Sequence, residues 1–270
     1  MPYPKNLECA KTCEAIILEC GAVPATIAIL GGRIKIGLSE SQLEHLAVSK
    51  GVVKCSRRDL PYVLATGKDG AATVSATMIM SALAGIRFFA TGGVGGVHRG
   101  AESTMDISAD LYELSTTDVC VISAGVKSIL DIGRTMEYLE TLGVPVAAYG
   151  QDEFPAFYTR ESGFKAPLRL DSPAGAAEIM RIKWDLGLKG GAIIGNPIPA
   201  EYAMRKEEID SAINSALELA SAQGVSGKEI TPFLLDEVKK LTEGRSLEAN
   251  MRLVYNNSRL AAEIAVAYYS

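Results

Sequence analysis

The sequence offers little to build a metal finger or a disulfide framework. Its 270 residues include 5 cysteines, an odd number, and no pair has CxxC spacing. That excludes the usual zinc-site and disulfide patterns. Cys9, Cys13 and Cys20 share one helical pattern, and Cys55 and Cys120 lie in or beside apolar runs. Cys9 and Cys13 are spaced to share a helix face, and we read them as small buried hydrophobes. Positive charge is not in excess either. The formal net charge is −5, which argues against a general nucleic-acid binder. A local basic cluster can still hold a phosphorylated small molecule. No apolar run approaches the roughly 18 residues a spanning helix needs. The N-terminus, "MPYPKNLECAKTC", lacks the basic and apolar regions of a signal peptide. The expectation is a cytoplasmic protein without a membrane or nucleic-acid partner.

What is present is the composition of a globular chain, 48% hydrophobic and 22% charged. Residues 6–20 have helical spacing and stop at Gly21. "PATIAIL" and "GGRIKIG" read as two strands about a Gly31-Gly32 turn. Ser39 opens a helix with Gln42 at capping-box spacing. "GVVKCS" is a strand carrying Lys54. "TVSATMIMSALAGI" is apolar or small all round, which predicts a buried helix. Strands are then expected at "RFFA", "VCVISAG", "VPVAAYG" and "GGAIIG". Helices are expected at "DISADLYELS", "DIGRTMEYLETLG" and "SPAGAAEIMRIKWDLG", then over 206–222, 228–241 and 247–269. Short apolar runs alternating with helices predict an α/β fold, with a largely parallel central sheet and a helical C-terminal region. With no linker or repeat, residues 1–270 read as one domain.

In such a sheet, ligands bind outside the carboxyl ends of the strands. The loops expected there are rich in polar and charged residues. "TGGVGGVHRGAESTMDISAD", residues 91–110, has glycines that permit close backbone approach, with His98 and Arg99 beside them. It matches neither the phosphate loop nor the dinucleotide fingerprint, so a structural turn and a phosphate cradle both stay open. Asp106 and Asp110 are four apart and can share a helix face. They fit a hard cation or simply a helix start. Lys127, in "VCVISAGVKSILD", follows an apolar run. It is an ordinary solvated charge or a desolvated amine kept for imine chemistry. Lys54 or Arg99 can supply a cation beside it. His45 receives no role, and Trp184 and Tyr268 read as packing.

Several motifs carry a resemblance. "ATGGVGGVHRGAESTMDISADL", "SAGVKSILD", "TLGVPVAAYGQDEFPAFY", "CSRRDLP", "GNPIP" and "LEANMRLVYNN" closely resemble the pseudouridine-5′-phosphate glycosidase, indigoidine-synthase-A-like family. The resemblance runs over essentially the whole chain. It implies an α/β/α sandwich and a homotrimer. The implied reaction is reversible cleavage of the C–C glycosidic bond of pseudouridine 5′-phosphate to uracil and ribose 5-phosphate, with a divalent metal, usually manganese. By resemblance, Lys127 forms the imine with C1′ of the ring-opened ribose, and Asp106 holds the metal. Ser108, Ala109 and Asp110 form a substrate-contacting segment. Lys54 and Val74 are further substrate-binding positions, and Thr91, His98 and Asn250 are pocket residues.

Members of this family carry, just before "MPYP", a segment like E-S-T-I-I-x-H-G whose glutamate donates a proton. The sequence begins at that methionine. The expectation is a longer gene product. The alternative is a relative that binds phosphosugar and metal without turnover. Glu102, Asp152 and Glu153 stand in nearby loops as candidate acids.

Overall fold

The structure is a computed structural model and describes residues 1–225 and 227–270. Helix α1 (Lys5–Glu19) precedes a hairpin of β1 (Ile27–Leu30) and β2 (Arg33–Ile36), then α2 (Glu40–Val48). Next come β3 (Val53–Cys55), α3 (Leu60–Ala65), β4 (Gly70–Ala72), α4 (Val74–Leu83) and β5 (Phe88–Ala90). The middle holds β6 (Val97–His98), α5 (Ala101–Thr104), α6 (Ala109–Thr116), β7 (Cys120–Ser123), β8 (Leu130–Asp131) and α7 (Ile132–Thr141). It continues with β9 (Val146–Tyr149), β10 (Leu168–Leu170), α8 (Pro173–Asp185) and β11 (Ala192–Gly195). Helices α9 (Lys206–Ala222), α10 (Ile230–Leu241) and α11 (Arg245–Tyr269) complete the chain.

The central sheet has 5 strands in the order β10-β9-β11-β7-β5, parallel throughout. Its two faces follow from alternation along each strand. Val121, Val146 and Ile193 point to one core, where Leu111, Leu114, Leu139 and Ile213 of α6, α7 and α9 cover them. Cys120, Ile122, Ala147 and Ile194 point to the other, against Met180 of α8 and Leu260 and Ile264 of α11. The result is the expected α/β/α sandwich. Its inner strands β7, β9 and β11 are buried on both faces and therefore read as unbroken apolar runs.

A second sheet of 4 strands, order β2-β1-β4-β3, was not legible as a separate unit. In it β1 runs antiparallel to β2 and β4, while β3 and β4 are parallel. Helix α4 joins the two sheets. Ala76 and Met80 pack on the second sheet, Val74 and Met78 on the central core. Met78 and Met80 are fully buried, and each such side chain contributes about 1.5–3 kcal/mol.

Local chemistry sets the helix ends. Ser39 and Gln42 form the predicted capping box of α2, and Ser172 caps α8 ahead of Pro173. Gly143, at φ 68°, stops α7 in the left-handed conformation. The expected helix over 106–115 starts later, at Ala109, with Ser108 as its cap. Among the described residues no helix is long and apolar enough to cross a membrane.

Candidate active site

The site is built where adjacent strands β5 and β7 end. Beyond the sheet their loops remain hydrogen-bonded to each other. Thr91 N–H donates to Ile122 O at 3.0 Å, and Ala124 N–H to Gly92 O at 2.9 Å. Val94 N–H donates to Gly125 O at 3.1 Å, and Lys127 N–H to Val94 O at 3.1 Å. The lysine backbone is thus fixed by the glycine-rich loop. Gly125 makes the turn possible. Its φ is +90°, and a Cβ there would lie 2.0 Å from Pro155 O.

A cleft of about 1250 Å³ opens at this point, between the two sheets. Lys127, Thr91, His98, Asp106, Ser108, Ala109 and Asp110 line it from the central sheet's loops. Lys54 reaches it from β3 and Val74 from the first position of α4. Asn250 comes from α11, and Thr231 and Leu235 of α10 form part of the opposite wall. Met1 and Pro2 also line the cleft. All ten residues that the resemblance implies for the site therefore meet in one place, although they come from elements far apart in the chain.

Asp106 and Asp110 do not share a helix face. Ser108 caps α6, so Asp106 precedes the helix and only Asp110 lies in its first turn. Asp110 is buried. One carboxylate oxygen accepts Ser75 N–H at 2.9 Å and the other accepts Gly95 N–H at 2.9 Å. It ties the start of α4 to the glycine-rich loop. Gly95 has no room for a side chain: a Cβ would lie 2.2 Å from Ser108 Oγ and 2.7 Å from Asp110 Oδ2.

Lys127 lines the cleft and is not an ordinary solvated charge. Burial pushes the Lys127 ammonium below the usual lysine range. Asp110 opposes the shift, and the Lys54 charge adds to it. The cation beside Lys127 is therefore Lys54. Arg99 instead turns to Asn214 Oδ1 at 3.1 Å and Ser128 O at 3.4 Å. His98 is held below its ordinary value by burial, against Asp106 and with help from Lys127 and Lys54. The shift favours the neutral ring, which can both donate and accept a hydrogen bond.

The three loop acids lie outside the cleft. Glu102 pairs with Arg134, and Asp152 with Arg169 at 3.0 Å. Glu153 accepts Ser162 N–H at 3.1 Å and Gly163 N–H at 2.8 Å. Arg57, in the "CSRRDLP" motif that follows the Lys54 strand, lines the cleft, held by the fully buried Glu113 at 2.7 Å and lying over the Tyr112 ring. Two aromatic residues were missed. Phe157 and Tyr158 form an aromatic wall with ring centroids 4.7 Å apart. Burial pushes the Tyr158 phenol up to about 12. No local pattern marks these residues, although Phe157 takes a left-handed φ of 67°, a strain common at functional sites.

This geometry agrees with comparison to known proteins. The family described as "Indigoidine synthase A like protein" matches residues 1–267. The chain belongs to that family and is an enzyme of it. A pseudouridine-5′-phosphate glycosidase from Caldanaerobacter subterraneus subsp. tengcongensis is 59% identical over 98% of this chain and 87% of its own length. One from Lysinibacillus sphaericus is 60% identical over 99% of this chain and 88% of its own. Two solved structures are also similar. The prealnumycin C-glycosynthase AlnA in complex with ribulose 5-phosphate has a TM-score of 0.92 at 37% identity, covering 98% of this chain and 88% of its own. An indigoidine synthase A-like protein from Thermotoga maritima has a TM-score of 0.91 at 39% identity, with the same coverage.

The metal expected at Asp106 can be tested against the donor set. Its side chain is 41% exposed, and its carboxylate lies 3.9 Å from His98 Nδ1. Among the described residues no three His, Cys, Asp or Glu side chains gather to hold a metal. Both Asp110 oxygens already accept amides. A single open carboxylate suits a hard cation that keeps most of its waters, as magnesium-like ions do. The residues fit such an ion and not a soft or fully caged one.

Proposed function

We propose that the enzyme cleaves the C–C glycosidic bond of pseudouridine 5′-phosphate, reversibly, giving uracil and ribose 5-phosphate. The observation that carries this reading is the placement of Lys127. Its amine is held below the ordinary lysine range, in the same cleft as Lys54 and the first residue of α4. The relatives' names and the ribulose 5-phosphate bound by the similar C-glycosynthase support it.

The anion site is the start of α4. As the first helical residue, Val74 has an N–H with no acceptor inside the helix. The positive end of the helix dipole and the Lys54 ammonium add to it. Asp110 takes the next amide, that of Ser75, so the phosphate is offered Val74 and Lys54. Lys127 then faces C1′. Its neutral amine bonds to C1′ as the C1′–O bond breaks, and the ring oxygen takes a proton from the nitrogen. The nitrogen lone pair forms the C1′=N bond as the bond to C5 of uracil breaks and C5 takes a proton. Water hydrolyses the imine and returns the lysine. The departing carbanion is a poor leaving group, which is why covalent attachment serves better than direct hydrolysis with paired carboxylates. Asp106 would hold a manganese ion, which would orient and polarise substrate oxygens. His98 and Thr91 position the sugar, and Ser108, Ala109 and Asn250 complete the pocket.

Homotrimer assembly and a cytoplasmic location belong to the same proposal; light scattering of the purified protein tests the first. The reaction itself is tested by incubation with pseudouridine 5′-phosphate and manganese. Uracil release supports the reading. Binding of ribose 5-phosphate without uracil release supports the non-catalytic alternative.

A further inference from the structure

The "GNPIP" and "YNN" motifs have so far received no role, yet they meet. Asn257 lies inside α11 and is fully buried. Its Nδ2 donates to Thr91 O at 2.8 Å and Gly92 O at 3.4 Å. Its Oδ1 accepts from Asn196 Nδ2 at 3.2 Å, and Asn196 is itself 5% exposed. The Asn196 backbone N–H donates to Ser123 O at 2.7 Å. The Asn257 amide thus joins α11, the helix that also carries Asn250, to the end of β5 and to Asn196, whose backbone N–H links the ends of β11 and β7.

Asparagine is a poor helix former, and a buried amide must satisfy both its donors and its acceptor. A leucine would serve the packing of α11 alone. What the amide adds is control of two carbonyls. Gly92 O also accepts Ala124 N–H, the bond that starts the turn leading to Lys127. Gly92 is itself packed against α11. A Cβ on it would lie 3.2 Å from Val254 and 3.3 Å from Asn250 Oδ1. The spacing between α11 and the glycine-rich loop is therefore set at this point.

We infer that Asn257, supported by Asn196, is a positioning residue for Lys127, fixing the paired turns at 91–94 and 124–127 from the α11 side. Without its donors the Thr91 and Gly92 carbonyls seek other partners, and the lysine turn loses its fixed start. The inference rests on Lys127 being the reactive amine, but its structural half can be measured separately.

The variants are Asn257→Leu, which keeps the volume, and Asn257→Asp, which keeps the shape and the acceptor. The leucine loses both donors, and a buried aspartate keeps at most one O–H donor. Asn256→Leu serves as control, since Asn256 bonds Pro197 O and none of these strand ends. Amide hydrogen exchange over residues 119–130 is expected to quicken about tenfold or more in both Asn257 variants, as local opening becomes easier. Borohydride trapping with ribose 5-phosphate is expected to slow about 10- to 100-fold, the scale of a misplaced reacting group. The half-saturating sugar phosphate concentration should stay within about threefold, because the α4 anion site is untouched. Unchanged exchange overturns the inference, as does an equal trapping loss in Asn256→Leu. A wild-type protein that traps no adduct refutes the imine reading, and exchange then decides the positioning role alone.

Discussion

Asp110→Asn probes the centre of the site with the loss of one charge and little change of shape. The carboxylate accepts two buried amides, Ser75 N–H and Gly95 N–H, each at 2.9 Å. Hydrogen bonds to a charged group contribute about 1.5–3 kcal/mol each, and a buried donor left facing an amine costs about 1–3 kcal/mol. Asparagine retains one acceptor, so one amide keeps a weaker bond and the other meets an NH₂. The expected loss is about 2–5 kcal/mol, a large share of ordinary stability but short of all of it. For a chain of this size that lowers the Tm by roughly 4–9 °C. A second effect has a definite sign. The Asp110 charge holds the Lys127 value up against burial. Its removal lets that value fall further, so more of the amine is neutral at acid pH. Thermal unfolding and the pH dependence of borohydride trapping with ribose 5-phosphate read the two effects. A Tm within about 2 °C of wild type would refute the stability reasoning. An acid limb of trapping that stays put or moves to higher pH would refute the electrostatic reasoning.

Two further outcomes are expected. Gly125→Ala must relieve a 2.0 Å approach to Pro155 O at a φ of +90°. It should cost more than about 4 kcal/mol, the range reserved for severe backbone and packing conflicts, and urea unfolding measures it. Asp69 is held below the usual carboxylate range, first by Gly31 N–H and then by His45. A carboxylate depressed on folding contributes stability that is present above its unfolded value, about 3.9, and lost as pH falls through the lower folded value. Asp69→Asn should therefore flatten the acid limb of stability below about pH 4 while leaving the shape of the curve at neutral pH unchanged. A wild-type-like acid limb in the variant would contradict this.

The central layers were legible because their signals are local. Unbroken runs such as "VCVIS" mark strands buried on both faces, and Ser39, Ser172 and Gly143 mark helix ends. Strand β4 was not legible. Gly70, Ala71 and Ala72 have no β-branched side chain, and pairing with β1 and β3 alone makes them a strand. Strands β6 and β8 have 2 residues each, too few to show a period. The spacing of Asp106 and Asp110 suggested a helix pair because four residues is one turn. Ser108 ended that possibility by capping the helix between them. Lys127 was visible as a lysine after an apolar strand, and the family resemblance named its role. Lys54 stood as one of two candidate cations beside it, but spacing could not choose between Lys54 and Arg99, and the part of Asp110, which comes from α6, was not visible. The aromatic wall of Phe157 and Tyr158 was hidden for the same reason: folding alone brings it to the cleft.

The most direct test is to trap the imine. The protein is incubated with ribose 5-phosphate and borohydride, digested, and the modified peptide is sequenced by mass spectrometry. The account predicts one reduced adduct, on Lys127, absent from Lys127→Arg. An adduct on Lys54 in place of Lys127, or none at all in a folded protein that binds the sugar phosphate, would contradict it.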